Sequence, residues 1–153
     1  MDSTFGLSRT VSLADNMVEG GGSVGLFYSE ALDSVYAAAS DFANFVLGER
    51  PRQARVVAWD IDQAGGVVWE ADVQALFPDE AMFLNDLVVL ADGTVFVTDS
   101  TRGAVYQITS EREVSVAATS EQWLPAENAS FPMPLAPIGK LAITAIHEIG
   151  RAS

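Results

Sequence analysis

The residues in this chain best suited to chemistry are an asparagine and an aspartate, Asn85-Asp86, placed directly before the apolar run Leu87–Leu90. An amide oxygen and a carboxylate are hard donors, the kind that calcium gathers in sets of six to eight. The same residue types also bond neighbouring backbone groups where a strand begins, so a local turn explains the pair as readily. Other constellations carry less. His147 is the only histidine, and no partners for a metal cluster or a triad can be named, so it reads as a packed or surface residue. No serine lies in a Gly-x-Ser-x-Gly turn. The run Gly20-Gly21-Gly22 lacks the lysine and the strand–loop–helix setting of a phosphate loop. Arg50, Arg52 and Arg55 form a small basic cluster that reads as a solvated loop, and Trp59, Trp69 and Trp123 read as packing residues.

Composition limits the classes of function. The chain has 153 residues, 49% hydrophobic and 19% charged, which is enough for one packed domain. Its formal net charge of −13 repels phosphate backbones and anionic lipid heads, so neither nucleic acid nor a membrane is expected as a partner. The acidity serves solubility first, with divalent cations or basic partners next. No cysteine is present, which removes disulfides, thiol catalysis and thiolate metal sites together. The opening MDSTFGLSRTVSLADN lacks the basic flank and apolar stretch of a signal peptide. No apolar run approaches the ~18 residues of a membrane span. The Asn-Ala-Ser sequon at Asn128 would matter only in a secretory setting. The compartment is left open.

The elements that must position Asn85 and Asp86 are short strands. Leu87–Leu90, Val95–Thr98, Ala104–Ile108 and Val114–Ala118 are apolar runs separated by Asp92-Gly93, Thr101-Arg102-Gly103 and Ser110–Glu113. Runs this short, joined by tight turns, predict one antiparallel meander. The order occurs earlier in looser form: Val24–Phe27, Val35–Ala38, Arg55–Ile61 and Val67–Glu70. SVYAAASD stands beside TVFVTDS, and ARVVAWDI beside GAVYQIT, with Ser23, Asn85 and Ile138 in similar places. Lys140–Ile146 would open a third unit. Ser29–Gly48 is ambiguous, because Leu32, Val35, Tyr36, Ala39, Phe42 and Val46 also fall at helical spacing. The repeat predicts strand there, and the repeat is followed. Asp72–Met82 is expected to be a connecting loop with room for one helical turn. The fold class is therefore all-β: blades of the β-propeller type, about 23–75 and 84–119, with the start of a third about 138–150.

FLNDLVVLADGTVFVTDSTRGAVYQI resembles a blade of the senescence-marker-protein, gluconolactonase and luciferin-regenerating-enzyme group. That family shows an Asn-Asp or Asn-Gly pair, an apolar strand, Asp-Gly, and an aromatic-containing strand ending in Thr-Asp. Leu84–Ser100 matches this order, and Ser23–Thr109 carries the wider likeness, although paraoxonases and other propellers use similar blades. The resemblance implies a six-bladed propeller of which this chain holds about two blades. It also implies a calcium- or zinc-dependent hydrolase of lactones or related esters. Asn85 would stand at the place of a metal-binding asparagine, with Asp86 beside it. The other family ligand places hold Ser23, a poor ligand, and Ile138, which is none, so a complete site is not expected in this chain alone. Two alternatives remain beside the hydrolase: a non-catalytic binding or scaffold module, and a truncated product without independent activity. Two blades leave sheet faces bare, so a homo-oligomer that completes the ring is a further expectation.

Overall fold

The computed structural model describes residues 22–41, 53–60, 66–80 and 82–121. The sequence features Arg50, Arg52, Trp123, Asn128, Ile138, the third unit about 138–150 and His147 lie outside the described residues.

The described chain is all-β. Eight strands form two four-stranded antiparallel sheets, each a simple meander. The first contains β1 (Gly22–Ser29), β2 (Ser34–Ser40), β3 (Ala54–Asp60) and β4 (Val67–Asp72). The second contains β5 (Leu84–Val89), β6 (Val95–Asp99), β7 (Ala104–Ile108) and β8 (Val114–Thr119). A single 3-10 turn, Gln74–Leu76, lies on the connection between them, as the acidic Ala-containing linker led one to expect.

Within the ambiguous segment, Ser34–Ser40 is strand. Ala37, Ala38 and Ala39 favour helix intrinsically, yet each is fully buried between β1 and β3. Alanine suits that place because the strand is crowded on both faces. Tertiary pairing outweighs the modest propensity term here. Leu32, read as part of a helical stripe, lies instead in the β1–β2 loop, where Ser34 Oγ donates to its carbonyl at 3.0 Å.

The turns show how the sequence punctuates the sheet. Asp92-Gly93 belongs to a three-residue loop, Ala91-Asp92-Gly93. Leu90 N–H bonds the Thr94 carbonyl (2.8 Å), Gly93 N–H bonds the Leu90 carbonyl (3.0 Å), and Gly93 takes φ +87°. The β7–β8 loop repeats this pattern with Ser110-Glu111-Arg112. Thr109 N–H bonds Glu113 O at 3.0 Å and Arg112 N–H bonds Thr109 O at 2.9 Å, but here Arg112 sits at φ 73°. A side chain in the left-handed region costs roughly 1–2 kcal/mol that glycine avoids. Arg112→Gly is therefore expected to stabilise the chain by about 1 kcal/mol, after allowance for the extra freedom of glycine in the unfolded state. Gly93→Ala is expected to destabilise it by a similar amount. Thermal melts of the two variants check the pair, and a lower melting temperature for Arg112→Gly would reject this account.

Between the sheets lies the main core. Tyr36, Ala38, Val56, Ala58 and Ala71 of the first sheet meet Leu84, Leu87, Val89, Val95, Val97, Tyr106 and Ile108 of the second. Each large apolar side chain sealed here stabilises the fold by roughly 1.5–3 kcal/mol. Trp69 closes one end of the joint, with its ring 5.8 Å from Tyr36 and its Nε1–H donating to the Ser110 carbonyl at 3.2 Å.

Which faces meet follows from the phase of the hydrogen bonds. In an antiparallel pair, facing residues alternate between bonded and non-bonded, and alternate side chains point to opposite faces. Asp41 N–H bonds the Gln53 carbonyl at 3.0 Å. Counting back through the unbroken β2–β3 register, Ala39, Ala37 and Val35 turn their backbone groups toward β3. In the second sheet Leu90 bonds Thr94, so Val95, Val97 and Asp99 turn theirs away from β5 and toward β7. Ala37 and Val97 are thus equivalent positions, as the pairing of SVYAAASD with TVFVTDS anticipates. Yet Val97 points into the joint between the sheets, while Ala37 lies on the far side of the first sheet in a buried cluster with Val57 and Trp59. Equivalent side chains on opposite sides of one joint mean that the sheets stack front to back. We call the face of Ala37 and Val97 the front, and the face of Tyr36 and Phe96 the back.

Candidate functional site

β5 begins with an irregularity that accounts for the Asn-Asp pair. Leu84 pairs with Asp99 and Leu87 with Val97, so Asn85 and Asp86 together oppose the single residue Thr98. This is a β-bulge, one extra residue that twists the strand and re-aims its side chains. The Thr98 hydroxyl fills the gap in the ladder, accepting from Asp86 N–H (3.1 Å) and donating to the Asp86 carbonyl (3.2 Å). Asp86 Oδ1 accepts the Leu87 N–H at 2.9 Å. Asn85 Nδ2 donates to Ser100 Oγ at 3.2 Å, which leaves its Oδ1 with no hydrogen bond among the described residues.

β1 carries the same device. Ser23 pairs with Ala39 and Gly25 with Ala38, so Val24 and Gly25 oppose one partner residue. Once Ala37 is set on Val97, the register puts Ser23 on Leu84, Val24 on Asn85 and Gly25 on Asp86. The match of Ser23 with Asn85 is therefore off by one residue. Ser23 Oγ donates to the Gly25 carbonyl at 2.9 Å, inside its own bulge. The position equivalent to Asn85 belongs to Val24, which has no donor atom.

The two bulges touch. A Cβ built on Gly25 would lie 2.3 Å from the Asn85 carbonyl oxygen and 2.9 Å from Asp86 Cα. A strand-interior glycine often marks such a close backbone approach, and here it lets β1 cross β5 at the mouth of the joint. A second tie lies nearby, where Leu84 N–H donates to Ser40 Oγ of the first sheet at 3.0 Å. The β1–β2 loop lies against the β5–β6 loop at the other end, with Leu32 Cδ1 3.9 Å from the Gly93 Cβ position. The first strands of the two sheets thus run side by side in the same sense.

Asp99 matters more to this region than its place at the end of TVFVTD suggests. Its buried carboxylate gathers four donors. Oδ1 accepts from Phe83 N–H (3.1 Å), Thr101 N–H (2.9 Å) and Thr101 Oγ1 (2.7 Å), and Oδ2 accepts from Tyr106 OH (3.0 Å). It knots the start of β5, the β6–β7 turn and β7. Burial pushes the carboxyl above the usual aspartate range, against the pull of the four hydrogen bonds. Tyr106 is pushed far above the ordinary tyrosine range, first by burial and then by the Asp99 charge. Beside them the Arg102 guanidinium lies 3.7 Å over the Phe77 ring and pairs with Glu80. Every oxygen of Asp99 is engaged and no face of it meets solvent, so its work is structural. A Thr two residues after a buried strand-end Asp is the sequence signal that could have revealed it. Arg55, read as part of a loop cluster, belongs to β3 and pairs with Glu70 at 3.0 Å.

The donor set can be tested against a calcium ion. Asn85 Oδ1 fits as one ligand, and Asp86 has one carboxylate oxygen not engaged by Leu87. Ser23 and Val24 add nothing from β1. No group of three or more His, Asp or Glu that could hold a metal occurs among the described residues. Against six to eight oxygens, the described residues supply a fragment of a site. No family model, curated protein or solved structure matches the chain.

Proposed function

We propose that this chain is a pair of blades from a β-propeller of the gluconolactonase-like kind. In this reading it forms part of the channel wall and contributes Asn85 to a cation-assisted site for hydrolysis of a lactone or ester, completed by groups beyond the described residues. The observation that carries the reading is the placement of β1 and β5. They are the first strands of two meanders stacked front to back, side by side in the same sense, with bulges at one end. That end is where a channel would collect ligands from successive blades, and the β5 bulge puts Asn85 there. The resemblance of Leu84–Ser100 to the family blade supports the assignment. A cation held there would polarise a carbonyl and lower the pKa of bound water; the part of Asn85 is to hold and orient, with Ser100 fixing its amide.

Calcium-dependent melting tests this. Calcium is expected to raise the melting temperature of the wild-type chain, since a ligand bound only to the folded state stabilises it by about 2.7 kcal/mol at a hundred times its Kd. Asn85→Ala is expected to cancel that rise. A wild-type chain indifferent to calcium would remove the hydrolase reading and leave the paired-blade geometry standing. One observation favours a second reading, a non-catalytic scaffold: both bulge side chains are partly engaged within the fold, Asn85 with Ser100 and Asp86 with the Leu87 amide.

A further inference from the structure

The connection between the two sheets is anchored at both ends and exposed in the middle. At its start Val73 is fully buried and donates its N–H to the Ala54 carbonyl at 2.9 Å. At its end Met82 and Phe83 are buried, and the Phe83 carbonyl accepts the Ser100 N–H at 2.9 Å while its own amide reaches Asp99. Between these anchors Leu76 and Phe77 are half-buried, and Pro78, Asp79 and Glu80 are exposed. The segment bonds to itself. Phe77 N–H donates to the Gln74 carbonyl at 3.0 Å and Glu80 N–H to the Phe77 carbonyl at 3.1 Å. Gln74 Nε2 donates to the carbonyls of Phe77 (2.6 Å) and Glu80 (2.9 Å). Against the second sheet, the Phe77 ring lies 6.3 Å from that of Tyr106, and Arg102 stacks on Phe77 and pairs with Glu80.

We propose that residues 74–80 form a strap beside Tyr106, clasped shut by Arg102, which lifts while both sheets stay folded and so controls the entry of water to the Tyr106–Asp99 pair. Opposed effects act on the shut state. Packing of Leu76 and Phe77 against the core favours it, and so does Arg102. A cation over a ring and an ion pair are each weak at an exposed site, so the clasp is a light one. Gln74 favours release. Both hydrogens of its amide are spent on strap carbonyls, and its Oε1 is sealed from solvent with no hydrogen bond. A buried acceptor without a partner favours any state in which water reaches it, and lifting the strap supplies that water. No strand need part for this, because Val73 and Phe83 are fixed ends. The clasp is also set by what it guards: Asp99 holds Thr101 by its amide and its hydroxyl, and Arg102 is the next residue of that turn. This inference rests on the packing of the connection and is independent of any cation site.

Amide hydrogen exchange of the whole chain, read residue by residue by NMR, tests it. In wild type the amides of Phe77 and Glu80 are expected to exchange many-fold faster than those of β6 and β7, because so short a turn does not keep its bonds once lifted. The amides of Phe83 and Thr101, which bond Asp99, are expected to follow the strap. Arg102→Gln, checked as folded by circular dichroism, is expected to speed strap exchange several-fold further and to leave β6 and β7 at their wild-type rates. Glu80→Gln removes the ion pair and keeps the stack, so it should fall between. Added salt should speed the wild-type strap and leave that of Arg102→Gln unmoved. A wild-type strap that exchanges in step with β6 and β7 overturns the proposal, since it would open only with the sheet. So does an Arg102→Gln strap at the wild-type rate, or one that quickens together with both strands. Phe83 and Thr101 amides that keep the pace of the sheet would refute the control of water.

Discussion

Asp99→Ala is expected to destabilise the chain by about 3 kcal/mol. The reason is what it leaves behind. Removing the carboxylate takes away the acceptor shared by the amides of Phe83 and Thr101 and the hydroxyls of Thr101 and Tyr106. A buried donor left unsatisfied costs about 1–3 kcal/mol. Domains of this size have roughly 5–15 kcal/mol in all, so the variant should melt far below wild type or fail to fold. Chemical denaturation with fluorescence detection checks the magnitude, and a loss below about 1 kcal/mol would show that the knot is not what holds the β5 start.

The same residue gives a pH signature. A folded-state pKa above the unfolded one means that the folded chain keeps this proton where the unfolded chain has lost it. The contribution of Asp99 is then full in acid, below the ordinary aspartate range, and declines as pH rises through the raised value. The other carboxylates of this acidic chain titrate too, so the useful quantity is the difference between wild type and Asp99→Asn. Relative to that variant, wild type is expected to lose stability with rising pH across the acidic range. A difference that grows with pH would mean that the four hydrogen bonds, and not burial, dominate at this carboxylate.

Gly25→Val is the second change with a large expected effect. The new Cβ would meet the Asn85 carbonyl oxygen at 2.3 Å and Asp86 Cα at 2.9 Å, both backbone atoms without rotamers to escape into. Overpacking typically costs 1–3 kcal/mol where side chains can adjust. Here β1 itself must retreat from β5, so about 3 kcal/mol or more is expected, a fall in melting temperature of roughly 6–12 °C for a chain of this length. Leu26→Ala, next along the strand but exposed, is the control and should be mild. Similar losses in the two variants would show that the crossing tolerates more room than the geometry allows.

The strands and their order are legible in the sequence because turn residues mark each boundary: Asp92-Gly93, Thr101–Gly103 and Ser110–Glu113 all lie where the chain reverses. The front-to-back stacking could have been half seen, since the match of Ala37 with Val97 is in the sequence, but the phase that makes it meaningful is a property of the pairing. The bulges were not legible for a similar reason. One extra residue is defined only by counting against a partner strand, so the sequence alone aligns Ser23 with Asn85 where the register aligns Val24. Asp99 is not legible in the sequence as a hub, because it closes β6 as an ordinary strand-end acid. Its four donors come from positions spread between Phe83 and Tyr106, and only the fold brings them together. At Ser34–Ser40 the local pattern allowed helix, and neighbouring strands decided otherwise.

The joint between the two sheets has a polarity, like the courses of an arch. A sandwich whose sheets meet through like faces is finished once two are laid. A stack in which every unit presents one kind of surface and receives another is never finished by adding more, except by returning to its own beginning. Gain or loss of a whole unit then changes only the circumference, while gain or loss of a fraction leaves two surfaces that cannot mate. Lengthening such a chain by whole duplications is for that reason the conservative route, and the off-register breakpoint is the damaging one.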